Sequence, residues 1–278
     1  MVLLADSGAT KTTWRLLNSE NTSGDCTTGG INPFQIGYDE IVHLLETEFS
    51  LSPKGISTIW FYGAGCAYAD KNKTVADALF HYFGTKEIHV NSDLFAAARS
   101  LCGKKPGIAC ILGTGSNSCY YDGKEIAMNI PALGYVLDDE GSGNAIGRKL
   151  ISDLFKNILP QEIKNKFLEK YDVTLGDILN NVYRKTFPNR YLAQFARFVC
   201  ENINYPQLQE LVNCCFRKFF ERNVMQYPDT KDLPVHFTGS IAYYFSQQLK
   251  QTAAEFGLTV GNITQEPMEG LVEYHSKL

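Results

Sequence analysis

Apolar and polar positions follow one pattern twice along this chain. Val2–Ala5 is a short apolar run that stops at Asp6, and Thr13–Leu17 resumes it, which predicts two strands joined by a polar turn over residues 6–12. Thr22–Thr28 reads as a third strand. Tyr38–Phe49 places Ile41, Val42, Leu44, Leu45 and Phe49 on one broad face, the spacing of an amphipathic helix. Ile56–Tyr62, bounded by Gly55 and Gly63, predicts a buried strand. Val75–Phe83 follows as a helix, Glu87–Val90 as a short strand and Asp93–Leu101 as a helix.

Gly103-Lys104-Lys105-Pro106-Gly107 has the turn chemistry of a domain boundary, and after it the pattern begins again. Ile108–Leu112 predicts a strand, Gly113–Ser116 a glycine turn, Asn117–Tyr121 a returning strand, Asp122-Gly123 a hairpin turn and Lys124–Met128 a third strand. Residues 141–227 read as mostly helical, with amphipathic stretches around Leu150–Ile158, Tyr191–Asn202 and Leu208–Met225. Pro234–Phe237 is a late strand, and Ile241–Phe256 and Met268–His275 are helices. Strand, glycine turn, strand therefore occurs at 2–17 and at 108–121. Duplication of one α/β unit explains the echo, and so would two unrelated hairpins.

Composition narrows the class. The 278 residues carry 30 acidic and 26 basic side chains, a formal charge of −4, with 44% hydrophobic and 20% charged residues. These are globular proportions, and the slight acidity argues against a nucleic-acid-binding surface. No apolar run is long enough to span a membrane. Eight cysteines occur, without a C-x-x-C pair or zinc-type spacing, and most sit in apolar runs, which points to a reducing compartment. Asp6 comes too early for a signal-peptide core, so a cytoplasmic location is expected.

Three turns carry candidate chemistry. Asp6-Ser7-Gly8-Ala9-Thr10-Lys11-Thr12 can present backbone N–H groups to phosphate oxygens, with Asp6 as a Mg²⁺ ligand through water. It lacks the glycine spacing and the following helix of a Walker A loop, and an ordinary Gly- and Thr-rich β-turn fits it equally well. Gly113-Thr114-Gly115-Ser116-Asn117-Ser118 begins like a dinucleotide loop, but Ser118 stands at the third glycine and no helix follows. It is a phosphate-facing hairpin or simply a tight one. Thr238-Gly239-Ser240 joins a strand to a helix, where it can pack against a nucleoside or cap the helix through Ser240.

In this order, the three segments resemble the PHOSPHATE 1, PHOSPHATE 2 and ADENOSINE motifs of the actin-like/hexokinase superfamily. With Asp138-Asp139-Glu140-Gly141-Ser142, the chain resembles the BadF/BadG/BcrA/BcrD-type ATPase family and, within it, the N-acetylglucosamine kinase branch. The resemblance spans nearly the whole chain. It implies a two-domain α/β, actin-like ATPase (ribonuclease H-like) fold, with duplicated domains over residues 1–106 and 107–264 and an interdomain cleft. The C-terminal helix, about 265–278, would return to the first domain. It also implies phosphoryl transfer from ATP, with Mg²⁺, to an amino sugar such as N-acetylglucosamine or glucosamine at the 6-hydroxyl. Dimerisation follows from the resemblance alone.

Carried over residue by residue, the resemblance makes Asp93 the general base, a position where an N-cap of the following helix is the plainer role. Asp6, Gly8, Ala9, Thr10, Lys11, Thr12, Gly113, Thr114, Gly115, Gly239 and Ser240 would bind ATP, with Asp6 toward the metal. Asn32, Phe34, Ser116, Asn117, Gly134 and Asp139 would bind the sugar. Ser7 and Ala9 stand where many relatives have glycine, and the segment around Gly134 lacks a Gly-Trp pair seen in some animal N-acetylglucosamine kinases. The same broad family includes ATPases that activate dehydratases and benzoyl-CoA reductases through an iron–sulfur cluster, but no suitable cysteine pair is present. A catalytically silent sugar-binding protein is the third alternative.

Overall fold

The computed structural model describes residues 1–8, 10–18 and 22–277. Ala9, one of the residues assigned to ATP, and Leu278, within the C-terminal segment expected to be helical, lie outside them. The chain divides into two compact units, one of Met1–Lys104 with Pro267–Leu278 and the other of Lys105–Glu266.

The first unit begins with an antiparallel meander of β1 (Val2–Ser7), β2 (Lys11–Leu17) and β3 (Thr22–Gly29). Helix α1 (Tyr38–Glu48) leads to β4 (Thr58–Gly63), α2 (Ala69–Phe83) to β5 (Glu87–Ser92), and α3 (Asp93–Cys102) follows. β4 pairs parallel to β1 and β5 parallel to β4, giving the order β3-β2-β1-β4-β5. The uniform apolarity of Val2–Ala5 has a simple cause, because β1 is buried on both faces. Leu3 and Ala5 pack with Trp14, Phe61, Ile41, Leu45, Val75 and Leu79 under α1 and α2, while Leu4 faces Tyr62, Ala96, Met268 and Leu271. The Trp14 indole is fully buried, and its N–H donates to Thr28 Oγ1 at 3.0 Å.

The second unit repeats this plan. β6 (Gly107–Leu112), β7 (Ser116–Tyr121) and β8 (Ile126–Ile130) form a meander. Six helices intervene: α4 (Gly143–Phe155), α5 (Gln161–Tyr171), α6 (Leu175–Arg184), α7 (Pro188–Ala193), α8 (Ala196–Glu201) and α9 (Pro206–Arg222). β9 (Val235–Thr238) pairs parallel to β6, helices α10 (Ser240–Tyr244) and α11 (Ser246–Glu255) follow, and β10 (Val260–Thr264) pairs parallel to β9. The order β10-β9-β6-β7-β8 is the topology of the first sheet, so the echo in the sequence is a duplicated fold rather than two unrelated hairpins. Helix α12 (Met268–His275) follows β10 as α3 follows β5, but it belongs to the first unit, where it packs on α3.

The structure corrects several elements expected from the pattern. The turn predicted over residues 6–12 is shorter, because β1 runs through Ser7 and β2 starts at Lys11. Tyr191–Asn202 is two short helices, and Ile241–Phe256 is broken at Phe245, a buried residue whose apolar character continued the helical period. The third strand of the second meander lies at Ile126–Ile130, two residues later than Lys124–Met128. β10 escaped notice because Gly261 and Asn262 interrupt it and it is only half-buried. All eight cysteines are free, and six are buried as small apolar side chains.

The α3–α12 contact depends on Gly270. A β-carbon there would lie 2.3 Å from the Ser100 carbonyl oxygen. Gly270→Ala should therefore push the helices apart at a cost of about 1–3 kcal/mol, read as a lower urea midpoint with an unchanged slope.

Candidate active site

In the first unit, three parallel strands stop at the same level. Ser7 of β1 lies opposite Gly63 of β4, and Gly63 opposite Ser92 of β5. The residues that follow, Gly8, Ala64 and Asp93, therefore leave the sheet side by side. At ~4.8 Å per strand spacing, the first turn and Asp93 emerge about 10 Å apart. The carboxyl end of a parallel sheet is the usual place for a ligand in such folds.

Gly8, Thr10 and Lys11 are exposed around the first turn, which is closed by the Gly8 N–H donating to the Lys11 carbonyl at 2.9 Å. Asp6 is half-buried, one residue inside the strand end. Thr12 points inward and its hydroxyl donates to the Gly29 carbonyl at 3.0 Å. Asn32 is half-buried, and its Oδ1 accepts from the Phe34 N–H at 3.0 Å. Phe34 is 60% exposed, edge-on to Tyr68 with ring centroids 6.0 Å apart. Gly65, with φ +84°, fits against this pair: a β-carbon there would lie 2.4 Å from Asn32 Oδ1 and 3.0 Å from the Phe34 ring. Gly65 and Tyr68 were not singled out from the sequence. Nothing in the linear pattern ties them to Asn32; the register of β4 does.

Asp93 is the first residue of α3. The N-cap role belongs to Ser92, whose hydroxyl accepts from the Phe95 N–H at 3.3 Å. Asp93 Oδ1 accepts from the Leu94 N–H at 2.8 Å. Burial raises its pKa above the ordinary carboxylate range, outweighing the backbone hydrogen bonds that favour the anion. Burial also pushes the neighbouring Cys66 thiol up to about 12, with the Asp93 charge adding to the effect.

In the second unit, the second and third turns meet. Gly239 adopts φ +117°, and a β-carbon there would lie 2.3 Å from the Leu112 carbonyl oxygen. Only glycine lets the β9–α10 junction pass this close to the end of β6. The Gly113–Gly115 turn is pinned from behind by α4: the Gly143 N–H donates to the Gly113 carbonyl at 2.8 Å and the Asn144 N–H to the Thr114 carbonyl at 3.1 Å. Asp139 is buried with φ 69°, accepting from the Ser116 N–H at 3.2 Å and from Asn144 Nδ2 at 3.3 Å. Burial raises its pKa, and the adjacent Asp138 contributes. Its carboxylate thus braces the second turn, and Asn144, fully buried, completes the brace. Asn117 Oδ1 accepts from the Ser118 N–H and from Asn129 Nδ2, and Gly134 sits exposed at φ 77° in a separate turn closed by the Asp138 N–H on its carbonyl.

A cavity of about 660 Å³ opens beside the third turn, lined by Ala193, Gln194, Arg197, Ser240, Ile241 and Tyr244 among others. This volume suits a small-molecule ligand. The N-cap of α10 is Gly239 rather than Ser240, which is the first helical residue and lines the cavity. Gln194, Arg197 and Tyr244 carry no motif and were missed, since α7, α8 and α10 meet only in the fold. Among the described residues no group of three or more His, Cys, Asp or Glu side chains could hold a metal, and no helix is long and apolar enough to cross a membrane.

Comparison with known proteins gives the same architecture. No family profile and no curated protein matches the chain. A solved Porphyromonas gingivalis protein, provisionally designated an N-acetylglucosamine kinase, is 43% identical, with a TM-score of 0.96 over 100% of this chain and 99% of that one. A Chromobacterium violaceum protein with the same provisional designation is 18% identical, with a TM-score of 0.75 over 98% of both chains. A non-polymerising variant of MamK, bound to AMPPNP, shares the actin-like fold at 13% identity, with a TM-score of 0.51 over 99% of this chain and 97% of that one.

The raised pKa of Asp93 has a thermodynamic consequence. A carboxylate whose folded pKa lies above its unfolded value stabilises the fold at low pH, and that stability is lost as pH rises through the folded value. Asp93→Asn should therefore raise the melting temperature at pH 7, and the gain should shrink as pH is lowered toward the ordinary carboxylate range. A lower melting temperature at pH 7 would contradict this electrostatic account.

Proposed function

Because the chain belongs to the BadF/BadG/BcrA/BcrD-type ATPase family, in its N-acetylglucosamine kinase-like branch, we propose that it is an ATP-dependent sugar kinase acting on an amino sugar, N-acetylglucosamine or glucosamine, at the 6-hydroxyl. The observation that carries this reading is Asp93, a half-buried carboxylate of raised pKa that leaves β5 level with the first turn, one strand over from the segment carrying Gly65. In the reaction Asp93 takes the hydroxyl proton as the sugar oxygen bonds to the γ-phosphorus and the bond to ADP breaks. A base with a raised pKa is better matched to a hydroxyl than an ordinary carboxylate.

Gly8, Thr10 and Lys11, with Ala9, form the first phosphate contact in this reading. Gly113, Thr114 and Gly115 form the second, and Thr12 acts from behind the first turn. The cavity beside Gly239 and Ser240 takes the adenosine. Asp6 is the assigned Mg²⁺ donor through water; the bound ion would neutralise charge on the phosphoryl oxygens. Asn32 and Phe34 hold the sugar from the first unit, with Gly65 shaping their side. Ser116, Asn117, Gly134 and Asp139 define the sugar-facing segments of the second, and Asp139 acts by fixing the turn it braces. The activator-type alternative, which needs cluster-bridging cysteines, gains nothing from Cys110 and Cys119, both fully buried in the second unit.

Coupled ADP release with a panel of amino sugars tests the reading. N-acetylglucosamine or glucosamine should support turnover, with product phosphorus coupled to the C6 protons by NMR. Asp93→Asn should lower kcat roughly 10²–10⁴-fold with little change in the sugar KM. Sugar binding without ADP production would leave a silent binding protein, and equal turnover in the variant would remove Asp93 as the base. In the second unit, Ala193→Phe should fill the adenosine cavity and raise the ATP KM about tenfold while sparing the sugar KM.

A further inference from the structure

Ser7 ends β1 rather than lying in the turn, and it is fully buried. Its hydroxyl accepts from the Ile31 N–H at 2.9 Å and lies 2.7 Å from Thr12 Oγ1 and 3.1 Å from the Ile31 carbonyl oxygen. The Ile31 N–H also reaches Thr12 Oγ1 at 3.3 Å. Ile31 lies two residues beyond β3, so side-chain hydroxyls replace the sheet partner its backbone has lost. The Ser7 carbonyl, in turn, accepts from the Ala64 N–H at 2.9 Å.

Three segments thus hang on one residue. Gly8, next in the chain, opens the first turn. Ile31, held by the Ser7 side chain, is followed directly by Asn32. Ala64, held by the Ser7 main chain, is followed directly by Gly65, which packs against Asn32 and Phe34. Packing alone does not call for a hydroxyl here, since a buried polar group costs free energy unless its hydrogen bonds are made.

We propose that Ser7, seconded by Thr12, is a positioning residue that couples the phosphate turn to the sugar-holding segments, so that nucleotide binding tightens the grip on the sugar. Phosphates held at Gly8 and Thr10 fix the end of β1. The Ser7 hydroxyl and carbonyl then fix the Asn32 and Gly65 segments. By linkage the effect is reciprocal, and sugar tightens nucleotide equally. The inference rests on the kinase reading above and adds regulation to it.

Calorimetric titration of N-acetylglucosamine, with and without saturating AMPPNP and Mg²⁺, tests the coupling. In the native protein AMPPNP should improve the sugar Kd at least about fivefold. In Ser7→Ala the improvement should fall below about twofold, with each ligand's Kd measured alone changing by less than about threefold. Thr12→Val, which removes a hydroxyl at constant shape, should also bring the improvement below about twofold whatever its effect on the nucleotide Kd, and Thr12→Ser, which keeps the hydroxyl, should restore coupling. The Thr12 pair decides the matter if Ser7→Ala does not fold. Full enhancement in Ser7→Ala or in Thr12→Val overturns the proposal, as does binding of both ligands to the native protein without mutual enhancement; in these cases the kinase reading stands. Failure of the native protein to bind either ligand overturns the kinase reading, and the coupling with it.

Discussion

The level at which β1, β4 and β5 end is the constraint on which the first unit's chemistry depends. Their Ser7–Gly63–Ser92 register is set by parallel pairing along the full length of three six-residue strands, so no one loop can drift alone. Burial on both faces of β1 excludes polar chemistry from the sheet itself. The polar groups that can act are therefore those immediately past the strand ends. A slip of one residue in β4 would carry Gly65 away from Asn32 and invert every side chain of the strand between the two faces.

The second unit solves a related problem by close approach rather than by register. Its second and third turns meet because Gly239 has no side chain to keep β9 off the Leu112 carbonyl. The second turn stays in place because α4 donates two N–H groups to its carbonyls while Asp139 accepts from Ser116 on its far side. Asp139 holds a positive φ there, a conformation uncommon outside glycine. Its carboxylate is an anchor for the loop, and the Gly113 N–H closes the turn from within by donating to the Gly115 carbonyl at 3.0 Å.

Much of the fold was legible in the sequence, for definite reasons. A meander with a glycine turn leaves an apolar–polar signature, and its recurrence at Ile108 gave the duplication that the two sheets share. The limits were equally physical. Ser7 and Thr12 are polar yet buried, so composition assigned them to a loop when both belong to strands. The turns of the candidate site were legible where a motif lies contiguous in sequence, as at Gly113–Gly115 and Gly239. The site was not legible where strand register or helix packing makes the neighbours, as with Gly65 beside Asn32, or Gln194 and Tyr244 beside Ser240. Ser7 itself was noted only as a departure from glycine in the first turn; its partners lie 24 residues away in sequence at Ile31, a separation no local pattern encodes.

Ser92 and Asp93 divide two roles that one residue often combines. A carboxylate at a helix start is favoured by the helix dipole and by first-turn N–H groups, both of which lower its pKa. Had Asp93 been the cap, those terms would have been largest for it, and the anion would have been held as a weak base. Ser92 takes the cap hydrogen bond from Phe95 instead. Asp93 keeps the Leu94 contact, and burial outweighs it in setting the pKa. The helix start is therefore satisfied by a neutral hydroxyl, and the charge beside it stays available for a proton. That arrangement costs stability at neutral pH and leaves a carboxyl of raised proton affinity just past the end of β5.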